Sequence, residues 1–170
     1  MTRESSCIQC IGCVPYLNAK PLIDWFHDPS CDAAAEIRYV VPSRLATDLE
    51  SGGLDVALVS TFELFRRPGL RMIPGISISA DGPVKSVRLF SRVPIEQIRS
   101  VALDTSSLTS SALVRILLAE MHGVQPAYND RPPDLDAMLS DCDAALLIGD
   151  LRLFEAPAKH VYDLGDLWKR

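Results

Sequence analysis

Residues 100–121 read "SVALDTSSLTSSALVRILLAEM". The first five form a nearly continuous apolar run, the pattern of a strand covered on both faces. From residue 107 the period changes. Leu113, Leu117 and Met121 fall on one helical stripe, with Val114 and Leu118 beside it, which predicts a helix over 107–121. A both-faces-buried strand handing directly to an amphipathic helix is the unit of an α/β sheet.

The same signature recurs along the chain. "DVALVS" (55–60) and "DAALLI" (143–148) are apolar runs of strand length, and "CIQCIGCV" (7–14) and "EIRYVV" (36–41) are further strand candidates. Helices are expected at 43–51, where Leu45 and Leu49 lie one turn apart, and at 133–139. This alternation predicts an α/β fold with right-handed crossovers. One region breaks the rhythm. "GISISADGPVKSVRLFS" (75–91) has two extended segments around a Gly-Pro turn and suits a passage between two lobes. The expected division is lobe one at 1–88 and lobe two at 89–163.

Bulk composition removes several function classes. The chain has 170 residues, 48% of them hydrophobic, and a net charge of −5 with no long run of either sign. A nucleic-acid surface is not expected from that balance. No stretch approaches the ~20 apolar residues of a membrane span. The start, "MTRESSCIQCIGC", lacks the apolar core of a secretory signal, so a cytoplasmic location is expected. Cys7, Cys10 and Cys13 have a spacing that invites an iron–sulfur reading. In a strand, however, Cys7 and Cys13 share one face and Cys10 takes the other, so three thiolates cannot converge. No metal site is expected. His27, His122 and His160 lack metal-ligand spacing, and no G-x-S-x-G elbow occurs.

Ligands of open α/β sheets bind beyond the carboxyl ends of strands, so the residues after each strand are the candidates. After the first strand comes "VPYLNAKPL" (14–22), with Tyr16 and Asn18. Asn18 suits the N-cap of a helix through Pro21, Leu22, Trp25 and Phe26, and it equally faces a strand-end crevice. After "DVALVS", Ser60 or Thr61 can cap the next helix and Glu63 falls in its first turn. After "SVALD", five hydroxyls crowd one helix start: Thr105, Ser106, Ser107, Thr109 and Ser110. One cap needs one of them, and the surplus beside free N–H groups makes an anion site, better suited to a carboxylate than to a nucleotide phosphate. After "DAALLI", Gly149 permits close backbone approach and Asp150 can cap.

Five blocks, "VPYLNAKPL", "LDVALVS", "DGPVKSVRLFS", "VALDTSSLTSSAL" and "DAALLIGD", occur here in the order seen in a known family. The chain resembles the chorismate dehydratases of the futalosine route to menaquinone, from about Ile11 to Trp168. The resemblance implies a fold similar to type II periplasmic binding proteins, two α/β lobes with the ligand in the cleft. It implies loss of water from chorismate to give 3-[(1-carboxyvinyl)oxy]benzoate, with no cofactor. By the family's motif Asn18 is the key active-site residue, and Ser86 joins the 105–110 hydroxyls in holding carboxylates. The resemblance further implies a return of the chain into lobe one, which would begin at 164–170 ("LGDLWKR"), so the second crossing is expected to be missing. Three other readings stay open: a non-catalytic carboxylate-binding module of the same fold, another elimination or isomerisation enzyme acting on a related acid, and an inactive truncated remnant.

Overall fold

The computed structural model describes residues 10–33, 35–149 and 158–170. The chain divides into two compact units, Met1–Ile78 and Ser79–Arg170.

The first unit is built on three parallel strands. β1 (Cys10–Cys13) lies between β2 (Glu36–Tyr39) and β3 (Val56–Ala57). β1 is fully buried. Around it, Cys10, Cys13, Val14, Ala19, Ile23, Leu45 and Leu54 make one core. The motif that follows β1 is not one capped helix. Leu17–Ala19 form a 3-10 turn, α1 covers only Lys20–Ile23, and Asp24–His27 form another 3-10 turn. Pro21 occupies the first turn of α1, where it loses no needed hydrogen bond. Further on come α2 (Pro42–Glu50) and α3 (Phe62–Arg66).

The second unit is a five-stranded sheet in the order β6-β5-β7-β4-β8. Its strands are β4 (Val87–Ser91), β5 (Ser100–Asp104), β6 (Ala127–Arg131), β7 (Ala144–Ile148) and β8 (His160–Asp163). β5 is parallel to β6 and β7, whereas β4 runs antiparallel to both β7 and β8. Three helices serve this sheet: α4 (Thr109–Ile116), continued by a π turn over Leu117–Met121, α5 (Leu135–Asp141) and α6 (Leu164–Lys169). Leu89, Val101, Leu103 and Leu146 on one sheet face join Val114, Leu117 and Leu118 after α4's start and Leu164 and Leu167 of α6. Phe90, Ala102, Ala145 and Leu147 on the other face join Leu135 and Met138 of α5. Both faces are covered, which is why β5 and β7 read as continuous apolar runs.

Residues 75–79, read as an extended passage, form no strand and are exposed. Two expectations change. The expected lobe boundary after 88 falls inside β4, whose pairing to β7 is continuous from Val87 to Ser91. The helix expected from 107 begins at Thr109, because 105–108 are held as a turn by the Asp104 side chain and Ser107.

Candidate functional site

In the first unit the candidate residues lie just past the carboxyl end of β1, the central strand. The Tyr16 and Ala19 positions that precede the 3-10 turn and α1 make no side-chain cap bond, and Asn18 lies inside the 3-10 turn. The capping role expected for Asn18 is therefore corrected: Tyr16 and Ala19 hold the cap positions, and Asn18 lies between them within the turn. Its side chain is exposed and makes no hydrogen bond to any described residue. Asn18 thus keeps a free donor and a free acceptor. Its neighbour Leu17 helps line a cavity of about 290 Å³, to which Asn18 itself does not contribute. That cavity is lined by Pro15, Tyr16, Leu17, Lys20, Ile23, Asp24, His27 and Tyr39. His27 Nε2 and the Tyr39 hydroxyl lie 3.0 Å apart on one wall.

Ser60 does cap. Its Oγ accepts the Phe62 amide at 3.0 Å, at the start of α3. Glu63 is 1% exposed and is held by Arg66 (3.1 Å) and Arg67 (2.7 Å). Charge inside the unit is thus paired, as burial of a carboxylate requires. Cys13 is fully buried, its thiol donates to the Val14 carbonyl, and burial pushes its pKa above the ordinary range. Cys10 and Cys13 are both free thiols inside the core, and Cys7 lies outside the described residues.

In the second unit, the carboxyl ends of β5 and β7 and the start of β4 meet at one edge of the sheet, and they bring most of the remaining candidates together. Val87 pairs with Ile148, and the Gly149 amide donates to the Ser86 carbonyl at 2.9 Å. Gly149 holds φ at 85°, a conformation that glycine reaches without cost. Asp104, 1% exposed at the end of β5, ties this edge. Its carboxylate accepts the Ser106 amide at 2.8 Å, the Ser106 hydroxyl at 2.5 Å and the Ile148 amide at 3.3 Å. Sequence reading assigned Asp104 no role, since an acidic residue ending a strand carries no signal of its own.

The five hydroxyls then separate. Ser106 spends its proton on Asp104. Ser107 supplies the real cap, its Oγ accepting the Ser110 amide at 3.2 Å. Thr105 is held through its backbone, its amide donating to the Arg131 carbonyl at 3.1 Å. Thr109 has partners of its own. The hydroxyls of Thr105 and Ser110 are left without a partner among the described residues. Ser86 donates its hydroxyl to the Val84 carbonyl at 3.2 Å. Asp150 lies outside the described residues.

The edge is also supported from a direction that no local pattern reveals. Asp163 Oδ1 accepts the amides of Val84 (3.0 Å), Gly165 (2.9 Å) and Asp166 (3.2 Å), and Oδ2 accepts that of Lys85 (2.6 Å). One carboxylate therefore caps α6 and grips the turn before Ser86.

Among the described residues, no group of three or more His, Cys, Asp and Glu side chains could hold a metal ion, and no helix is long and apolar enough to cross a membrane.

Comparison with known proteins gives three findings. A family profile described as menaquinone biosynthesis matches residues 10–170. A chorismate dehydratase of Thermus thermophilus is 36% identical over 141 residues, 82% of this chain and 50% of that protein. The chain thus spans about half the length of the curated relative it matches. Among solved structures, protein AF1704 of Archaeoglobus fulgidus superimposes with a TM-score of 0.72 at 16% identity, over 97% of this chain and 62% of that one. That likeness bears on the fold.

Proposed function

The chain belongs to the menaquinone-biosynthesis family, and on that premise we propose that it is a hydro-lyase acting on chorismate in the cytoplasm, giving 3-[(1-carboxyvinyl)oxy]benzoate and water. The C–H bond at the carbon bearing the enolpyruvyl ether breaks, and its electron pair becomes the new ring double bond. The hydroxyl on the neighbouring carbon leaves and, with the released proton, makes water. The product is aromatic, so the reaction runs downhill once the substrate is aligned.

A carboxylate of the substrate takes the proton. Asn18, with carboxamide oxygen and nitrogen both unspent, orients the leaving hydroxyl or the enolpyruvyl arm through neutral hydrogen bonds. Tyr16 and Ser60 accompany it in the first unit. In the second unit, Thr105 and Ser110 donate to a substrate carboxylate, with Ser106, Ser107, Thr109, Ser86 and Gly149 shaping that edge. Asp150 completes the proposed set. Charge-assisted bonds from hydroxyls and amides are about twice as strong as neutral ones, so a dianionic substrate is favoured over a neutral one.

The observation that carries this reading is the free, exposed carboxamide of Asn18 just past the carboxyl end of the central strand. Substituting Asn18→Ala leaves the circular dichroism spectrum and melting temperature unchanged and abolishes the absorbance change of aromatisation. Retained turnover by that variant overturns the assignment.

A further inference from the structure

Lys85 is the only non-glycine residue with positive φ among the described residues, at 57°. It forms the centre of a three-residue turn closed by the Ser86 amide on the Val84 carbonyl at 2.6 Å. This is the positive-φ form of the γ-turn, which is rare and strained. An L-residue with a side chain pays for such a conformation only where its surroundings over-determine it. Here the surroundings are one carboxylate and one helix. Asp163 accepts the successive amides of Val84 and Lys85, and α6 presses on the same loop. A Cβ on Gly165 would lie 2.3 Å from the Gly82 carbonyl oxygen, so α6 and the loop touch backbone to backbone. Lys169 at the far end of α6 pairs with Asp81 at 2.9 Å. Beyond the turn, Ser86 is fixed by its carbonyl's bond from Gly149.

We infer that Asp163 is a positioning residue: by clamping the Lys85 turn it sets Ser86 in register with Gly149 at the sheet edge. The inference rests on the assignment of Ser86 to substrate binding given above. The geometry also supplies a selective perturbation. In Asp163→Asn the retained oxygen keeps the Val84, Gly165 and Asp166 amides, so the α6 cap survives. The new NH₂ group stands where Oδ2 was and faces the Lys85 amide, donor against donor.

The test is amide exchange by NMR on the purified chain, with Leu103 and Leu146 as references. In Asp163→Asn the Lys85 and Gly149 amides exchange roughly 5- to 30-fold faster, the factor by which a side chain disfavours left-handed backbone, while Gly165 and Asp166 stay protected. Lys85→Gly, which adopts the turn unaided, restores Gly149 protection in the Asp163→Asn background. Gly165→Ala displaces the same loop by another route and speeds Gly149 exchange with Asp163 intact. Turnover gives a second readout: Asp163→Asn raises KM for chorismate by a similar factor with kcat little changed, and Lys85→Gly reverses the rise. Unaltered Gly149 exchange in both Asp163→Asn and Gly165→Ala overturns the inference, as does failure of Lys85→Gly to rescue. A wild-type chain that exchanges as described but leaves chorismate intact refutes the proposed reaction and leaves the positioning role standing.

Discussion

Replacing Gly12 by Ala pits two effects against each other on the central strand of the first unit. Alanine in a strand is by itself favoured over glycine by roughly 0.5–1 kcal/mol, because the unfolded chain has less freedom to lose. Against that, a Cβ at this position would lie 2.5 Å from Leu54 Cδ1, 2.7 Å from Leu45 Cδ2 and 3.2 Å from Ala57 Cβ. Leu45 is fully buried and Leu54 nearly so, in the same core cluster, so each tip can move only by disturbing its neighbours. Overpacking of this kind costs about 1–3 kcal/mol, and two contacts far inside van der Waals distance put it in the upper half of that range. The net expectation is a loss of about 1–2 kcal/mol. For a chain of this size that is a fall of roughly 2–8 °C in melting temperature. Thermal melts by circular dichroism read the fall, and a double-mutant cycle with Leu54→Ala reads its cause. Leu54→Ala alone costs about 2–5 kcal/mol, and in the Gly12→Ala background it costs about 1–2 kcal/mol less, because the methyl fills the space vacated. Costs that add to within about 0.5 kcal/mol refute the steric argument.

Asp104→Ala strands the amides of Ser106 and Ile148, both partly buried, and should destabilise the chain by about 2–4 kcal/mol; urea unfolding with a change below about 1 kcal/mol would remove Asp104 as the tie of this sheet edge. Cys13 gives a pH prediction whose sign follows from burial. Its folded pKa is raised, so as pH climbs past the ordinary thiol range the unfolded chain ionises first, and stability present at neutral pH is lost. Between about pH 7 and about pH 10 the urea midpoint of the wild type should therefore fall more than that of Cys13→Ala; equal falls contradict the assigned burial effect.

What the sequence made legible follows from where information is local. β5 and the apolar residues of β7 were readable because α4 and α6 cover one face and α5 the other, so nearly every side chain is apolar. β6 was not, since "AYNDR" is an edge strand with mostly exposed side chains and one neighbour, and its pairing to β5 leaves no mark in its own composition. β8, at the opposite edge, likewise has one neighbouring strand, and its half-buried "HVYD" carries no continuous apolar run. At the candidate site, the block around Asn18 and the hydroxyls of 105–110 were visible, but their division of labour was not. Ser106 is spent on Asp104 and Ser107 on Ser110 through bonds whose geometry depends on where the helix begins. Asp163 was invisible, because it grips Val84 and Lys85 from nearly eighty positions away.

The most direct measurement is incubation of the purified chain with chorismate, followed by absorbance and by mass analysis of the product. The account predicts a new aromatic acid lighter than chorismate by one water, formed without added metal or cofactor. Chorismate recovered unchanged from a chain that it nevertheless stabilises against heat would contradict it.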